Sequence, residues 1–350
     1  MGSPLHRRAL PHRSSLHLNF IMSQVIAVQE LRKTYQRIER RPGLLGALTG
    51  FFSPNCQTHD AVAGVSFTVS QGERVAIIGP NGAGKSTMLK MLCGVLQPSS
   101  GTAMVLGLMP WRQRRTLAYR IGVVFGQRSQ LWADLPARDA FFLLRRIYDQ
   151  DADVFRRRLG ELTERFGLSD LLDQPVRQLS LGQRMRCEIT ASLLHGPKLL
   201  FLDEPTIGLD VTAKAAIRDF IREQSRKAGQ TVLLTSHDTR DIELVCDRVI
   251  VINEGQIVVD QPVAELRRRF LDRKVVTIQS AAPFLAMDLP GVTRRASAAH
   301  TTILVVDSAR TRIEQVIAVA LAQGGIDDIV IEDPPMEEVI REIYAVHASR

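Results

Sequence analysis

"RVAIIGPNGAGKST", Arg74 to Thr87, is the stretch that decides the fold. It opens on a short apolar run with no polar alternation, bounded by Gly72 and Gly79. That is the pattern of a strand buried on both faces in the middle of a sheet. From Gly79 the residues match G-x-x-x-x-G-K-[ST], and a helical pattern follows over 84–96. A strand–loop–helix context is what gives this motif its meaning. Gly79, Gly82 and Gly84, with Pro80, Asn81 and Ala83 between them, let successive backbone N–H groups turn inward around phosphates. The helix N-terminus adds partial positive charge. Lys85 is expected to reach the β- and γ-phosphates, and the Ser86 hydroxyl, with Thr87 beside it, to ligate Mg²⁺. The stretch predicts a nucleotide site.

Further along, two more buried-strand runs appear, "KLLFLDE" (198–204) and "TVLLTSH" (231–237), with a helical run at 211–228 between them. Strand, helix, strand with apolar strands predicts parallel pairing through a right-handed crossover. The first run ends in Asp203, whose carboxylate can hold Mg²⁺ through water beside the phosphate loop. Glu204 follows and is placed to orient and deprotonate an attacking water. His237 ends the other run at the same sheet edge, where ligands of such folds gather. A strand-end histidine is commonly structural, but its order and position here favour a γ-phosphate contact. Elsewhere the chain predicts a strand from Gln24 to Tyr35 closed by a polar turn and an alternating strand in "AVAGVSFTVS" (61–70). Helices are expected within 136–178, and a hairpin over 248–260 turning at Glu254-Gly255.

The bulk numbers bound what such a protein can be. With 350 residues, 45% hydrophobic and 23% charged, the chain suits one large and one small globular domain. No apolar run approaches the roughly 20 residues that span a bilayer. A membrane role therefore needs a span supplied by another chain. Four scattered cysteines show neither zinc nor disulfide spacing and fit a reducing compartment. The net charge is +8, of which Arg7, Arg8 and Arg13 supply +3 within residues 1–21, leaving +5 for the rest. That balance is compatible with an anionic lipid surface or nucleic acid and establishes neither. Residues 1–21 lack a secretory signal's apolar core and read as a disordered extension or as sequence upstream of a start at Met22.

One further stretch, "QLSLGQRMR" (178–186), has two readings. Ser180 and Gln183 stand three apart, as in a capping box that simply starts a helix. Its order relative to the other motifs supplies the second reading. "GPNGAGKST", "VVFGQRSQLW", "LSLGQ", "LLFLDEPTIGLD" and "LLTSH" follow one another as in the ATPase subunit of an ATP-binding cassette (ABC) transporter, which the chain resembles over about residues 24–260. The resemblance implies an α/β P-loop NTPase of the ABC type, with a RecA-like parallel core, an antiparallel β subdomain and a helical subdomain. It implies ATP and Mg²⁺ as ligands and ATP hydrolysis as the reaction. It makes Gln127 the glutamine of the Mg²⁺ and water site, Asp210 part of a loop communicating between two ATPase domains, and Tyr35 the ring that stacks on adenine. It implies that Ser180, Gly182 and Gln183 face the ATP of a second subunit, in an ATP-sandwich dimer with a second copy or a paralogous ATPase. Leu181 stands where the family pattern has glycine. If that position required positive φ, leucine would count against the role.

The domain reading is an ABC ATPase domain over 22–261, with an insertion at 36–60 and a helical subdomain about 129–178. A linker at 262–273 and a small α+β domain at 274–350 follow. The trailing domain and the phrases "QRSQLW" and "EPTIGLD" look most like the type-2 exporter branch. The expected partners are separately encoded polytopic permease subunits, which the 36–60 insertion is expected to contact. They would hold the chain in the cytoplasm on the inner face of the cell membrane, with no nucleic acid involved. The alternative is a soluble ABC-type ATPase acting on nucleic acid or the ribosome. Relatives of that kind carry long coiled coils, zinc cysteines or tandem ATPase domains, none of which is seen here. A P-loop kinase or GTPase leaves "LSLGQ" and His237 without a role.

Overall fold

The computed structural model describes residues 24–39, 55–126, 129–236, 238–268, 272–281, 288–298 and 300–348. Two long antiparallel strands come first, β1 (Gln24–Glu39) and β2 (Asn55–Ser70). β1 runs through the position after Tyr35 where the sequence suggested a turn. Tyr35 pairs with His59, and the ladder continues to Glu39 opposite Asn55. A two-stranded ribbon is held by backbone pairs, so its far end needs no apolar alternation to announce it. Of the 36–60 insertion, residues 40–54 lie outside the described residues, as does the 1–21 extension.

The phosphate-loop strand β3 (Arg74–Ile78) leads to α1 (Lys85–Leu92), then β4 (Ser100–Val105), α2 (Arg114–Ala118) and β5 (Ile121–Phe125). A helical region follows, with α3 (Ala137–Ile147), α4 (Ala152–Phe166) and α5 (Leu181–Leu193). The Asp151 carboxylate caps α4 by accepting from the N–H groups of Asp153 and Val154, and left-handed Gly167 ends it. The chain then returns through β6 (Leu199–Asp203), α6 (Val211–Ala228) and β7 (Thr231–Thr235). The hairpin of β8 (Arg248–Asn253) and β9 (Gln256–Pro262) is preceded by α7 (Thr239–Val245) and followed by α8 (Val263–Arg268).

The central sheet has the order β5-β6-β7-β3-β8-β9, with β5–β6, β6–β7 and β7–β3 parallel. β6 and β7 are apolar because helices and the second sheet cover both their faces. That second sheet, β2-β1-β4, is antiparallel and shares one core with α1 and the central strands. Val69, Val75, Ile77, Met88 and Leu92 meet there, each fully or almost fully buried. Truncating Ile77, Met88 or Leu92 to alanine would cost about 2–5 kcal/mol. Parallel core, antiparallel sheet and helical region are the three parts expected of this fold. Among the described residues no helix is long and apolar enough to cross a membrane.

The chain divides into two compact units. One runs through residue 237 with Ile250–Ile257, and the other holds Asp238–Val249 and the chain from Val258 onward. The second unit therefore reaches further back than the 262–273 linker expected from composition. The reason is tertiary: α7 packs against the last helix, α10 (Met336–Ala348), where the Thr239 hydroxyl hydrogen-bonds Glu337. The rest of this unit is β10 (Arg273–Ser280), β11 (Val292–Ala298), β12 (Thr301–Asp307), α9 (Ile313–Gln323) and β13 (Ile326–Glu332). Its antiparallel sheet, β11-β12-β10-β13, buries Val276, Ile278, Leu304 and Val306 with Val316 and Ala320 of α9. β11, "VTRRASA", escaped the sequence reading because an edge strand with one partner can stay polar.

Candidate nucleotide site

The loop from Gly79 to Gly84 joins β3 to α1 at the C-terminal end of the parallel strands. Its shape depends on Gly84, which caps α1 with φ +103°, a conformation that costs an L-residue about 1–2 kcal/mol. A Cβ there would also stand 2.1 Å from the Ala61 carbonyl oxygen. The loop is held from a second side by the β8–β9 turn. Gly255 donates to Ala83 O (3.2 Å) and accepts from the Ala63 N–H (2.8 Å). Lys85 is buried, and its ammonium donates to the carbonyls of Gly79 (2.8 Å) and Pro80 (3.2 Å). Burial draws its pKa down, opposed by the negative charges of Glu204 and Asp203. Pro80, Asn81 and Gly82 are exposed, Ala83 is buried, and Ser86 and Thr87 at the start of α1 are half-buried.

Asp203 is the meeting point. Its Oδ1 accepts from the Ser86 hydroxyl (3.1 Å) and the Thr235 hydroxyl (2.8 Å). The parallel register puts Asp203 beside Thr235 on one side and Phe125 on the other. Glu204 follows in the left-handed region, φ +56°, with its N–H donating to Thr235 Oγ1 (3.0 Å). Thr235, fully buried, went unassigned in the sequence because one threonine inside an apolar strand reads as ordinary β structure. Gly126 donates to Asp203 O (2.8 Å) at the end of β5. Gln127 and His237 lie outside the described residues.

A hydroxyl on a carboxylate is an oxygen donor set of the kind Mg²⁺ prefers, with one protein carboxylate and the remaining positions left to phosphate and water. Among the described residues no cluster of three or more His, Cys, Asp or Glu could form an all-protein metal cage. Ser86 and Asp203 fit the first arrangement. Tyr35, 43% exposed, has the Lys33 ammonium 5.4 Å from its ring centroid. Its cross-strand partner His59 stands two residues before Ala61, the residue that abuts Gly84, so the ring belongs to the ribbon flanking the loop.

The capping box of the sequence reading is present at α5. Ser180 Oγ accepts from the Gln183 N–H (3.2 Å), and Gln183 Oε1 accepts from the Ser180 N–H (2.8 Å). Leu181 is not among the residues with positive φ, so leucine fits the backbone there. Its Cδ2 lies 2.6 Å from where a Cβ would stand on Gly208, in the loop after Glu204, so it fills the space over that glycine. Gly182 faces Leu209, Asp210 and Ala213. Asp210 is exposed and caps α6 by accepting from the Ala213 N–H (2.8 Å). Leu181 at the start of α5, and Ile207 and Val211 either side of the Gly208–Asp210 stretch, are exposed apolar side chains, with Val211 82% exposed. Of the aromatics in the helical region, Phe141 is core, whereas Trp132 and Phe142 are exposed.

A family model described as "ABC transporter" matches residues 62–207. The chain is 36% identical over 198 residues to the ABC transporter ATP-binding protein NatA of Bacillus subtilis (strain 168), covering 57% of this chain and 80% of that protein. It is 34% identical over 288 residues to the daunorubicin resistance ATP-binding protein DrrA3 of Streptomyces coeruleorubidus, covering 80% of this chain and 89% of that one. Among solved structures, an ATP binding subunit of an ABC transporter superposes with a TM-score of 0.60 at 26% identity, over 70% of this chain and 93% of that one.

Proposed function

This chain belongs to the family of ABC transporter ATP-binding proteins, and on that premise we propose how its residues hydrolyse ATP to energise a membrane partner. The phosphates of ATP lie in the Gly79–Gly84 loop against the α1 N-terminus, with Lys85 on the β- and γ-phosphates. Adenine stacks on Tyr35. Ser86 and Asp203, with Gln127, hold Mg²⁺, which when bound neutralises charge on the phosphate oxygens. Glu204 takes a proton from water as the water oxygen bonds to the γ-phosphorus and the bond to the ADP oxygen breaks. His237 contacts the γ-phosphate. The observation that supports this reading most is the convergence of Ser86 and Thr235 on Asp203, with Lys85 and Glu204 beside it.

Ser180, Gly182 and Gln183 act on the ATP of a second subunit, and Asp210 lies in the loop between the two domains. The exposed apolar side chains of Leu181, Ile207 and Val211 support a face that a partner covers. Loss of the γ-phosphate removes charge-assisted hydrogen bonds from that face and releases the pair. The membrane span comes from separately encoded permease subunits, which keep the chain on the cytoplasmic face. Daunorubicin resistance in the name of one relative supports export as the direction. Purified protein should hydrolyse ATP in a Mg²⁺-dependent way, and Lys85→Ala and Asp203→Asn should abolish it. Hydrolysis stimulated by DNA or ribosomes with no membrane partner would favour the soluble alternative instead.

A further inference from the structure

Glu188 is a carboxylate in the body of α5 that the reaction above does not use, and it is 3% exposed. It accepts from the Ser129 hydroxyl, from the Gln130 N–H at 3.1 Å to each of its oxygens, and from the Leu131 N–H at 3.5 Å. The Gln130 side chain in turn donates to Val123 O on β5, and Ser129 Oγ accepts from the Leu131 N–H (3.2 Å). Three consecutive residues that leave the end of β5 are therefore gathered onto one side chain of α5. Burial pushes the Glu188 pKa up, and hydrogen bonds from Ser129, Gln130 and Leu131 oppose it.

A buried carboxylate is a poor way to gain stability, since an apolar side chain of similar size is often as good or better. What it provides is direction. All its contacts here are donors pointing inward, so one charge sets the register of the 129–131 turn. Eight residues earlier on the same helix stands Ser180, two turns or about 12 Å away. The turn follows Gly126, which is bonded to Asp203, and in sequence Ser129 comes two residues after Gln127.

We infer that Glu188 is a positioning residue for ATP hydrolysis, a strap that makes the 129–131 turn move as one body with the helix that begins at Ser180. The inference rests on the ATPase reading above. It assigns to α5 a rigid link between the end of β5 on a subunit's own site and the helix terminus offered to the other subunit's ATP. ATP binding itself, made by the phosphate loop, does not depend on the strap.

The test compares the full chain with Glu188→Gln, Ser129→Ala, the double variant and Ser129→Thr. It measures ATP turnover, affinity for a fluorescent ATP analogue and the thermal midpoint. Glu188→Gln should lower kcat about tenfold and Ser129→Ala about threefold, with nucleotide affinity within about twofold of the parent. The double variant should be no worse than Glu188→Gln, since both cut one strap, and Ser129→Thr should restore turnover. Unchanged kcat in folded Ser129→Ala overturns the inference, even where Glu188→Gln fails to fold. So do multiplicative losses in the double variant, or a lower thermal midpoint with kcat intact. A parent protein that binds the analogue without hydrolysing ATP overturns the parent reading and this one with it, and that outcome is distinct because it appears before any substitution.

Discussion

Replacing Ser180 with aspartate separates the two roles assigned to it. As a helix cap, serine and aspartate are near equals, and the geometry asks only for an oxygen that accepts from the Gln183 N–H. The reciprocal bond, Ser180 N–H to Gln183 Oε1, does not involve the replaced side chain. Ser180→Asp should therefore keep the fold within a few tenths of a kcal/mol. Ser180→Ala should lose about 1 kcal/mol, roughly 2–4 °C for a domain of this size. Facing a phosphate, the two substitutions rank the other way. A carboxylate about 4 Å from a phosphate charge, at an effective dielectric near 20, costs on the order of 4 kcal/mol per site. That is about a thousandfold in association for each of two sites. The loss from Ser180→Ala is a charge-assisted hydrogen bond, about 1.5–3 kcal/mol. Sedimentation velocity with ATP, in a Glu204→Gln background that holds the nucleotide, reads the dimer directly. Ser180→Asp should be the more stable monomer and the poorer dimer. A Ser180→Asp protein that dimerises with ATP like its parent would show that Ser180 caps a helix and nothing more.

Three further outcomes follow from the site and its surroundings. Glu204→Gln should slow hydrolysis by about 10²–10⁴-fold while ATP binding persists and an ATP-bound dimer accumulates; normal turnover would remove Glu204 from the base role. Gly84→Ala forces a Cβ to within 2.1 Å of the Ala61 carbonyl oxygen at φ +103°, so titration with a fluorescent ATP analogue should show binding lost. Retained affinity would mean the loop can be rebuilt without that backbone conformation. His195 is half-buried with its ring stacked on Tyr148 (4.0 Å) and one nitrogen against Ile121 O (2.9 Å), and desolvation pushes its pKa down to about 4. Its folded pKa lies below the ordinary 6.5, so its neutral form favours the folded state above pH 6.5, and that contribution is lost as pH falls from 6.5 toward 4. Denaturation midpoints at pH 7.5 and 5.0 should therefore differ less in His195→Phe than in the parent, and an equal difference would exclude His195 as the source.

How much could be read without coordinates depended on how local the cause was. β3, β6 and β7 were visible as apolar runs, because burial on both faces leaves few polar positions, whereas β5 was not singled out as a strand. The α6 helix begins and ends as expected, and Ser180 and Gln183 form the box their spacing suggested. Asp203 was visible as the acid ending a strand beside a phosphate loop. Thr235 was not, since its value comes from the strand that the sheet sets alongside β6. The length of the β1–β2 ribbon was missed because backbone ladders carry no side-chain signature. β11 was missed because an edge strand can be polar throughout.

The sequence by itself determined the glycine-rich loop between β3 and α1, the acids at the end of β6 and the β6–α6–β7 alternation, because each follows from residues close together in the chain. Only the tertiary structure decided that Leu181 needs no positive φ and packs over Gly208, that Asp238–Val249 belongs with the C-terminal unit, and that Glu188 holds the 129–131 turn. Leu181 and Gly208 stand 27 residues apart in the chain, Glu188 and the 129–131 turn 57 to 59, and Thr239 and Glu337 98, and no periodicity or spacing encodes which of them will meet.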